Sequence, residues 1–491
     1  MAREPRSSVR LDVDLGRGPD APQPLDESMP FRIAIVGDFR GDAGRGAGGA
    51  TPVQQRKPVQ VDRDNLDEVI AHWRPTLRLA LPDGSPAVLQ FETLDDFHPD
   101  KLYGRLPVFV RLRELRAALA NRASVPGPAS PSRSTPPTPE QLVNPGSLLD
   151  EIVGGAPPGG EDPQAFIQRI VAPHVVPELA PEQAALVAQL DGVSGMVLRF
   201  VLHHPALQAL ESLWRSIFLM VRRVESSVAV QIHLFDVSRE ELAAGLGDEE
   251  PAGGEMYSML TQSSGGESVA APWAFLVGAY TFGTHGGDVP LLGRLAALAR
   301  AVRAPWVSAA DPRLVGCPDI THLASPEAWR QEATPEWSAL RRRADARWLG
   351  LVTPRFLLRL PYGEGGERCE TLAFEELPDP VNHEDLLWGN GAMAGAVLLA
   401  QAFEAAGWDL TPGNPPELDG LPLYVRRHDG EAVATPCAET LLTEAAVERL
   451  LEAGVMPLVC RRDGDSVRVI RFQSVADPLA PLAGPWVGGV V

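Results

Sequence analysis

The chain has 491 residues, more than one ordinary core needs, and with 44% hydrophobic and 22% charged residues it carries enough apolar surface to exclude a disordered chain. A formal net charge of −20, from 44 basic and 64 acidic residues, repels a phosphate backbone and argues against nucleic acid as a partner. The start, MAREPRSSVRLDVDLG, has early arginines but no apolar secretory core, and no window is read as long enough to span a bilayer.

A cytoplasmic location without direct membrane insertion is therefore expected. Cys317, Cys369, Cys437 and Cys460 are far apart and form no CxxC pair, which fits reduced thiols buried as small hydrophobes better than a disulfide framework.

In chain order, residues 1–28 read as an extended arm. Val9, Leu11, Val13 and Leu15 alternate with Arg10, Asp12 and Asp14, the period of a strand with one buried face. FRIAIVGDF (31–39) has the short apolar run of a central strand, and TLRLAL (76–81) and VLQFE (88–92) supply two more. DNLDEVIAHW (64–73) and VFVRLRELRAALANR (108–122) read as helices. At SVPGPASPSRSTPPTP (124–139) proline, serine and threonine replace every periodic pattern, which places a linker at 124–146.

Beyond it, strand candidates at 228–235, 272–280, 304–310, 349–360, 456–460 and 466–472 alternate with helical stretches that include 290–303 and 392–407. The fold class expected is α/β, with two domains, 29–123 and 147–491, flanking the linker.

The stretch VLHHPALQALESLWRSI (201–217) tests whether the chain carries a metal or catalytic histidine pair. Pro205 suits a first helical turn, and Leu207, Leu210, Trp214, Ile217, Val221 and Val224 follow at spacings of three and four. Neighbouring helical residues point about 100° apart, so His203 and His204 are poorly placed to share a metal. They read as a pair that caps and packs the helix start, with His204, Leu210 and Trp214 assigned to core packing.

Gly44, Gly46 and Gly49 match GxGxxG, but they come late after the preceding strand and no amphipathic helix follows, so the pattern reads as a loop. There is no GxxxxGK[ST], GxSxG or HExxH motif. The pairs Asp95 and Asp96, Glu375 and Glu376, and Glu384 and Asp385 read as loop charges or caps as readily as acid/base carboxylates. No cofactor, metal or catalytic residue is expected.

Several long segments, in order, resemble one family. VRLDVDLG, MPFRIAIVGDFRG, RKPVQVDRDNLDEVI, FETLDDFHPD and LRELRAALAN closely resemble the small subunit of the type VI secretion contractile sheath. SLLDEIVGG, LHHPALQALESLWR, VQIHLFDVSREEL, WAFLVGAYTFG, DVPLLGRLAALARAVRAPWVSAADPRL, WSALRRRADARWLGLVTPRFLLRLPYG and EDLLWGNGAMAGAVLLAQAF resemble the large subunit.

The resemblance implies a structural protein, not an enzyme: a fusion of two normally separate sheath subunits, whose assembly contracts to propel an inner tube. Joining them fixes a one-to-one ratio and raises their effective concentration for each other. It implies other sheath subunits as partners, with the inner tube, the baseplate and a disassembly ATPase as further ones. Leu148, Leu149 and Ile152 fall in SLLDEIV, which resembles the helix that this ATPase recognises in the family, and the arm residues Val9, Leu11, Val13 and Leu15 resemble a donated inter-subunit strand. The C-terminal region of the large sheath protein is expected to be missing, which leaves a sheath-like accessory at a sheath end or baseplate as one alternative and a cytosolic α/β ligand-binding protein or enzyme as another.

Overall fold

A computed structural model describes residues 29–41, 51–82, 84–122, 181–247, 251–262, 271–329, 334–378, 381–428 and 431–486. The arm residues Val9, Leu11, Val13 and Leu15, the glycine loop, the linker, and Leu148, Leu149 and Ile152 lie outside the described residues.

The N-terminal segment supplies β1 (Phe31–Gly37), β2 (Val59–Val61), α1 (Leu66–Trp73), the hairpin β3 (Thr76–Ala80) and β4 (Pro86–Gln90), α2 (Pro99–Arg105) and α3 (Val108–Arg122). The C-terminal segment runs through α4 (Pro181–Leu202), α5 (Pro205–Arg223), β5 (Val230–Asp236), α6 (Arg239–Gly245), α7 (Glu255–Thr261), β6 (Phe275–Phe282), α8 (Asp288–Val302) and β7 (Trp306–Ala310). It continues with α9 (Pro335–Arg341), β8 (Leu349–Thr353), β9 (Phe356–Leu357), β10 (Trp388–Gly389), α10 (Gly391–Ala406) and β11 (Glu417–Leu418). The hairpin β12 (Tyr424–His428) and β13 (Glu431–Thr435), α11 (Glu444–Glu452), β14 (Met456–Cys460) and β15 (Val467–Val469) complete it.

These elements fall into two compact units, Met1–Arg105 with Val197–Val491, and Leu106–Met196. In the larger unit nine strands form one sheet in the order β11-β15-β14-β8-β7-β6-β1-β5-β2. The run β5-β1-β6-β7-β8-β14 is parallel throughout, and the sheet ends on antiparallel strands at both edges. All seven residues of β1 are buried, as a parallel strand covered on both faces requires.

One face is covered by α10 and α5, the other by α8 with α7 and α9. Helix α10, GAMAGAVLLAQAFEAA, is apolar around most of its circumference because it lies between the sheet and α5. Its small residues permit the close approach: a Cβ at Gly391 would come within 2.8 Å of Val352 Cγ1.

Two expectations are corrected, and one is extended. The two domains expected on either side of the linker share a sheet: β1 pairs in register with β5 from Phe31↔Val230 to Gly37↔Asp236 and with β6 from Ile33↔Phe275 to Val36↔Gly278. A strand this apolar needs neighbours on both edges, and among the described residues the N-terminal segment offers only short or hairpin-paired strands, so it takes both from the C-terminal segment. The strand expected over 349–360 breaks into β8 and β9 around Pro354, which has no N–H to give a ladder.

One window, Ala184–Leu202 within α4, does reach the length and apolar composition of a membrane span, against the sequence reading. Leu198, Val201 and Leu202 at its end are buried in the protein core.

The smaller unit contains α3 and the first part of α4. Arg116 bridges the two helices with Nε 2.8 Å and Nη2 3.3 Å from the two oxygens of Asp191. Val110, Leu115, Leu186, Val193 and Met196 on these helices are exposed.

Candidate functional site: the seam between the two segments

The seam is built around α5. His204 has extended backbone geometry at the N-cap, and its Nδ1 accepts from Ala206 N–H at 3.2 Å, with Pro205 filling the first helical position. His204 is half-buried at the helix start, whereas Leu210 and Trp214 on the inward stripe are fully in the core. His203 points elsewhere: its Nδ1 is 3.4 Å from Asp385 Oδ1 and its Nε2 3.7 Å from Glu376 Oε1. The adjacent histidines thus serve different partners, as their angular separation on a helix demands.

Trp214 carries the first contact across the seam. Its Nε1–H donates to Phe39 O at 3.1 Å, just past the carboxyl end of β1. Its ring lies 5.2 Å from Phe39 and 5.8 Å from Trp73, both edge-on, and Phe39 lies 5.2 Å from Trp73. Among the parallel strands β5 comes second along the chain and β6 third, and they flank β1 on opposite sides, the arrangement in which doubly wound sheets open a ligand crevice at the carboxyl ends. At Gly37 itself there is no room for a side chain: a Cβ would come within 3.0 Å of Ala279 Cβ and 3.1 Å of Leu213 Cδ2, residues that also line a cavity described below.

At the other end of β1, Phe31 contacts Phe403 and Trp408 at 4.9 and 5.6 Å, and Trp408 Nε1–H donates to Met29 O at 3.0 Å. Both ends of β1 are therefore pinned by aromatic side chains of the C-terminal segment, contacts stronger than their area alone provides.

Beside the aromatic trio lies a buried ionic network. Arg359 Nε reaches Glu211 Oε1 at 2.8 Å, and its Nη1 and Nη2 reach Glu376 at 2.7 and 2.9 Å. Arg215 adds a 2.6 Å bond to Glu211 and a 3.0 Å bond to Tyr362 Oη. Glu211 and Glu376 are at most 1% exposed. Burial pushes the Glu376 carboxyl up, but the Arg359 guanidinium outweighs it and holds the group down at about 2. This network locks α5 to the loop after β9.

A second cluster joins Arg355 to Glu439 and, at 3.1 Å, to Glu384, with His383 Nε2 3.1 Å from Glu439. Burial likewise raises the Glu439 carboxyl, and His383 and Arg355 bring it down to about 2.

The adjacent acidic pairs are thus divided among separate partners. Asp96 caps the turn after Thr93 and pairs with Arg105 at 2.6 Å, Glu376 binds Arg359, and Glu384 binds Arg355. A cavity of about 590 Å³ opens over Ser212, Gln208, Thr281, Arg355 and Asp385, and one of about 360 Å³ over Asp311, Arg313 and Thr353. Arg355 and Arg313, the arginines lining them, are each paired with carboxylates.

The sequence singles out His204, Leu210 and Trp214 for core packing; Leu210 and Trp214 are buried, His204 is a half-buried cap, and Phe39, Trp73, Arg359 and Glu211 were missed. The only available signal was the placement of Glu211 on the same helix face as Leu207 and Trp214, an acidic residue within an apolar stripe.

Comparison with known proteins agrees with this division of the chain. Residues 184–476 match the VipB family model, described as EvpB/VC_A0108, tail sheath N-terminal domain. Residues 1–125 match the model described as type VI secretion system, VipA, VC_A0107 or Hcp2. Among curated relatives, the type VI secretion system sheath protein TssC1 of Pseudomonas aeruginosa is 32% identical over 311 residues, covering 60% of this chain and 61% of the relative. The sheath protein TssB1 of the same organism is 28% identical over 125 residues, covering 24% of this chain and 68% of the relative.

Proposed function

Because the chain belongs to the tail sheath family of type VI secretion systems, we propose that it is a structural component of the contractile sheath carrying both subunit types on one polypeptide. The observation that carries this reading is the central place of β1, from the segment matching the small-subunit family, between two strands of the segment matching the large-subunit family. A heterodimer whose partners share one sheet loses little by fusion, because the linker only has to bridge elements that already pack together. Fusion then raises the effective concentration of one segment for the other and sets their ratio.

In this reading the partners are other sheath subunits, with the inner tube, the baseplate and a disassembly ATPase beyond them, and the chain works in the cytoplasm. The arm residues Val9, Leu11 and Val13 would add a strand to a neighbouring sheet through backbone hydrogen bonds, and Leu148, Leu149 and Ile152 would give the ATPase a short apolar helix face. Negative-stain electron microscopy of the full chain, purified with the products of neighbouring genes, tests the proposal. Tubes whose walls contain this chain support it, and a chain that stays out of every tube overturns it.

A further inference from the structure

Two groups of side chains in the larger unit bring three possible metal donors together. At His383, Glu384 and Glu439 the cation is already present as the Arg355 guanidinium. At the other, His98, Asp100 and Cys369, no arginine or lysine is paired with either His98 or Asp100 among the contacts described, and one donor atom of each residue lies within 4.8 Å of the other two. His98 and Asp100 come from the start of α2 and Cys369 from the loop after β9, so the three donors again straddle the seam.

We propose that His98 Nδ1, Asp100 and Cys369 Sγ form a Zn²⁺ site that clamps the N-terminal segment to the loop 367–371, with a water in the fourth position. The donor types are those that zinc takes from proteins. His98 Nδ1 lies 3.6 Å from Asp100 Oδ2, close to the roughly 3.3–3.8 Å edge of a tetrahedron built on zinc–ligand bonds.

The histidine already has the required tautomer. Its Nδ1 accepts from Asp100 N–H at 3.2 Å, so Nδ1 holds the lone pair and Nε2 carries the proton. Nε2 lies 3.8 Å from Glu367 Oε1, beyond direct hydrogen-bond distance but near enough for the carboxylate's charge to favour a metal-bound imidazole. Binding exchanges the single capping bond at Asp100 N–H for the metal.

Asp100 is held in place from behind. Its Oδ2 accepts from Glu370 N–H at 2.9 Å, and its Oδ1 from Thr371 N–H at 3.1 Å and from the Thr371 hydroxyl. The His98 and Asp100 side chains remain 16% and 17% exposed, so an ion can enter from solvent. On binding, Cys369 gives its thiol proton to solvent and the thiolate takes the metal.

The test uses the full chain, stripped with chelator, and Co²⁺ as a spectroscopic probe followed by Zn²⁺ competition. The wild type should give a thiolate-to-cobalt charge-transfer band that Zn²⁺ abolishes, and Zn²⁺ should raise its melting temperature. Cys369→Ser should lose the band although Cys317, Cys437 and Cys460 remain. Glu367→Gln, a substitution at a 72% exposed side chain that leaves the fold intact, should weaken Zn²⁺ binding about 10- to 100-fold. No band in the wild type, an unchanged band in Cys369→Ser, or an unchanged affinity in Glu367→Gln would each overturn the proposal.

Discussion

Strand β1 and helix α3 belong to the same N-terminal segment, yet they reach stability by different routes. FRIAIVG buries every residue, is flanked on both edges by strands of the other segment, and is fixed at its ends by Trp214 and Trp408. VFVRLRELRAALANR leaves Val110 and Leu115 exposed, and within its own unit its described ionic tie is the pair Arg116–Asp191. An apolar run whose one charged residue, Arg32, is itself buried specifies its position by burial on all sides, whereas a helix interrupted by Arg111, Arg113, Glu114 and Arg116 specifies only a face. The first is enclosed on every side, and the second leaves apolar side chains exposed.

The comparison is broken most severely at the seam. Trp214→Ala removes a fully buried ring that contacts both Phe39 and Trp73, and should cost about 3–5 kcal/mol in chemical denaturation. Arg359→Met leaves Glu376 a buried carboxylate without its cation and should cost a similar amount, about 3–5 kcal/mol. A double change of Arg359 to Met and Glu376 to Leu should recover much of that loss, which distinguishes an unpaired charge from lost packing.

Gly278→Ala, in β6 beside β1, drives a methyl group into the Trp306 ring and Ser308 Oγ, and should lower stability by about 1–3 kcal/mol.

A pH series sharpens the contrast, because His233 lies on β5 directly opposite Ala34 of β1. Burial first, and the charge of Arg32 second, lower its pKa from 6.5 to about 4. The unfolded chain therefore takes up a proton that the folded chain refuses. The stability associated with neutral His233 is fully present above pH 6.5 and falls as the pH approaches 4, by about 3 kcal/mol at most over that window. His233→Gln should flatten this part of the stability profile.

The smallest effect belongs to the helical unit: Arg116→Ala, which breaks a pair with a partly exposed arginine, should change the melt by about 0–1 kcal/mol.

Much of this was legible in the sequence, for reasons that differ by element. FRIAIVG and WAFLVGAY could be read as central strands because burial on both faces removes polar residues, and PALQALESLWR as a helix because Pro205 marks its start and the apolar spacing its face. Helix α4 was missed because Gly192, Ser194 and Gly195 interrupt its pattern, and β2 because three residues carry no period.

The shared sheet was beyond the sequence altogether, since strand pairing across about 190 residues leaves no local mark. The ionic seam was hidden for the same reason: Glu376 reads as a loop charge or cap, and nothing local joins it to Arg359 and Glu211 until the fold removes all three from water.

The claim that the two segments form one folded body is tested most directly by cutting the chain between them. A protease site placed in residues 124–146 allows the full protein to be cleaved after folding and then followed by gel filtration and calorimetry. If β1 is held as an interior strand of the common sheet, the two pieces will elute together and melt in a single cooperative transition that contains both. Separation into two folded pieces, or two independent melts unchanged by cleavage, would contradict the account.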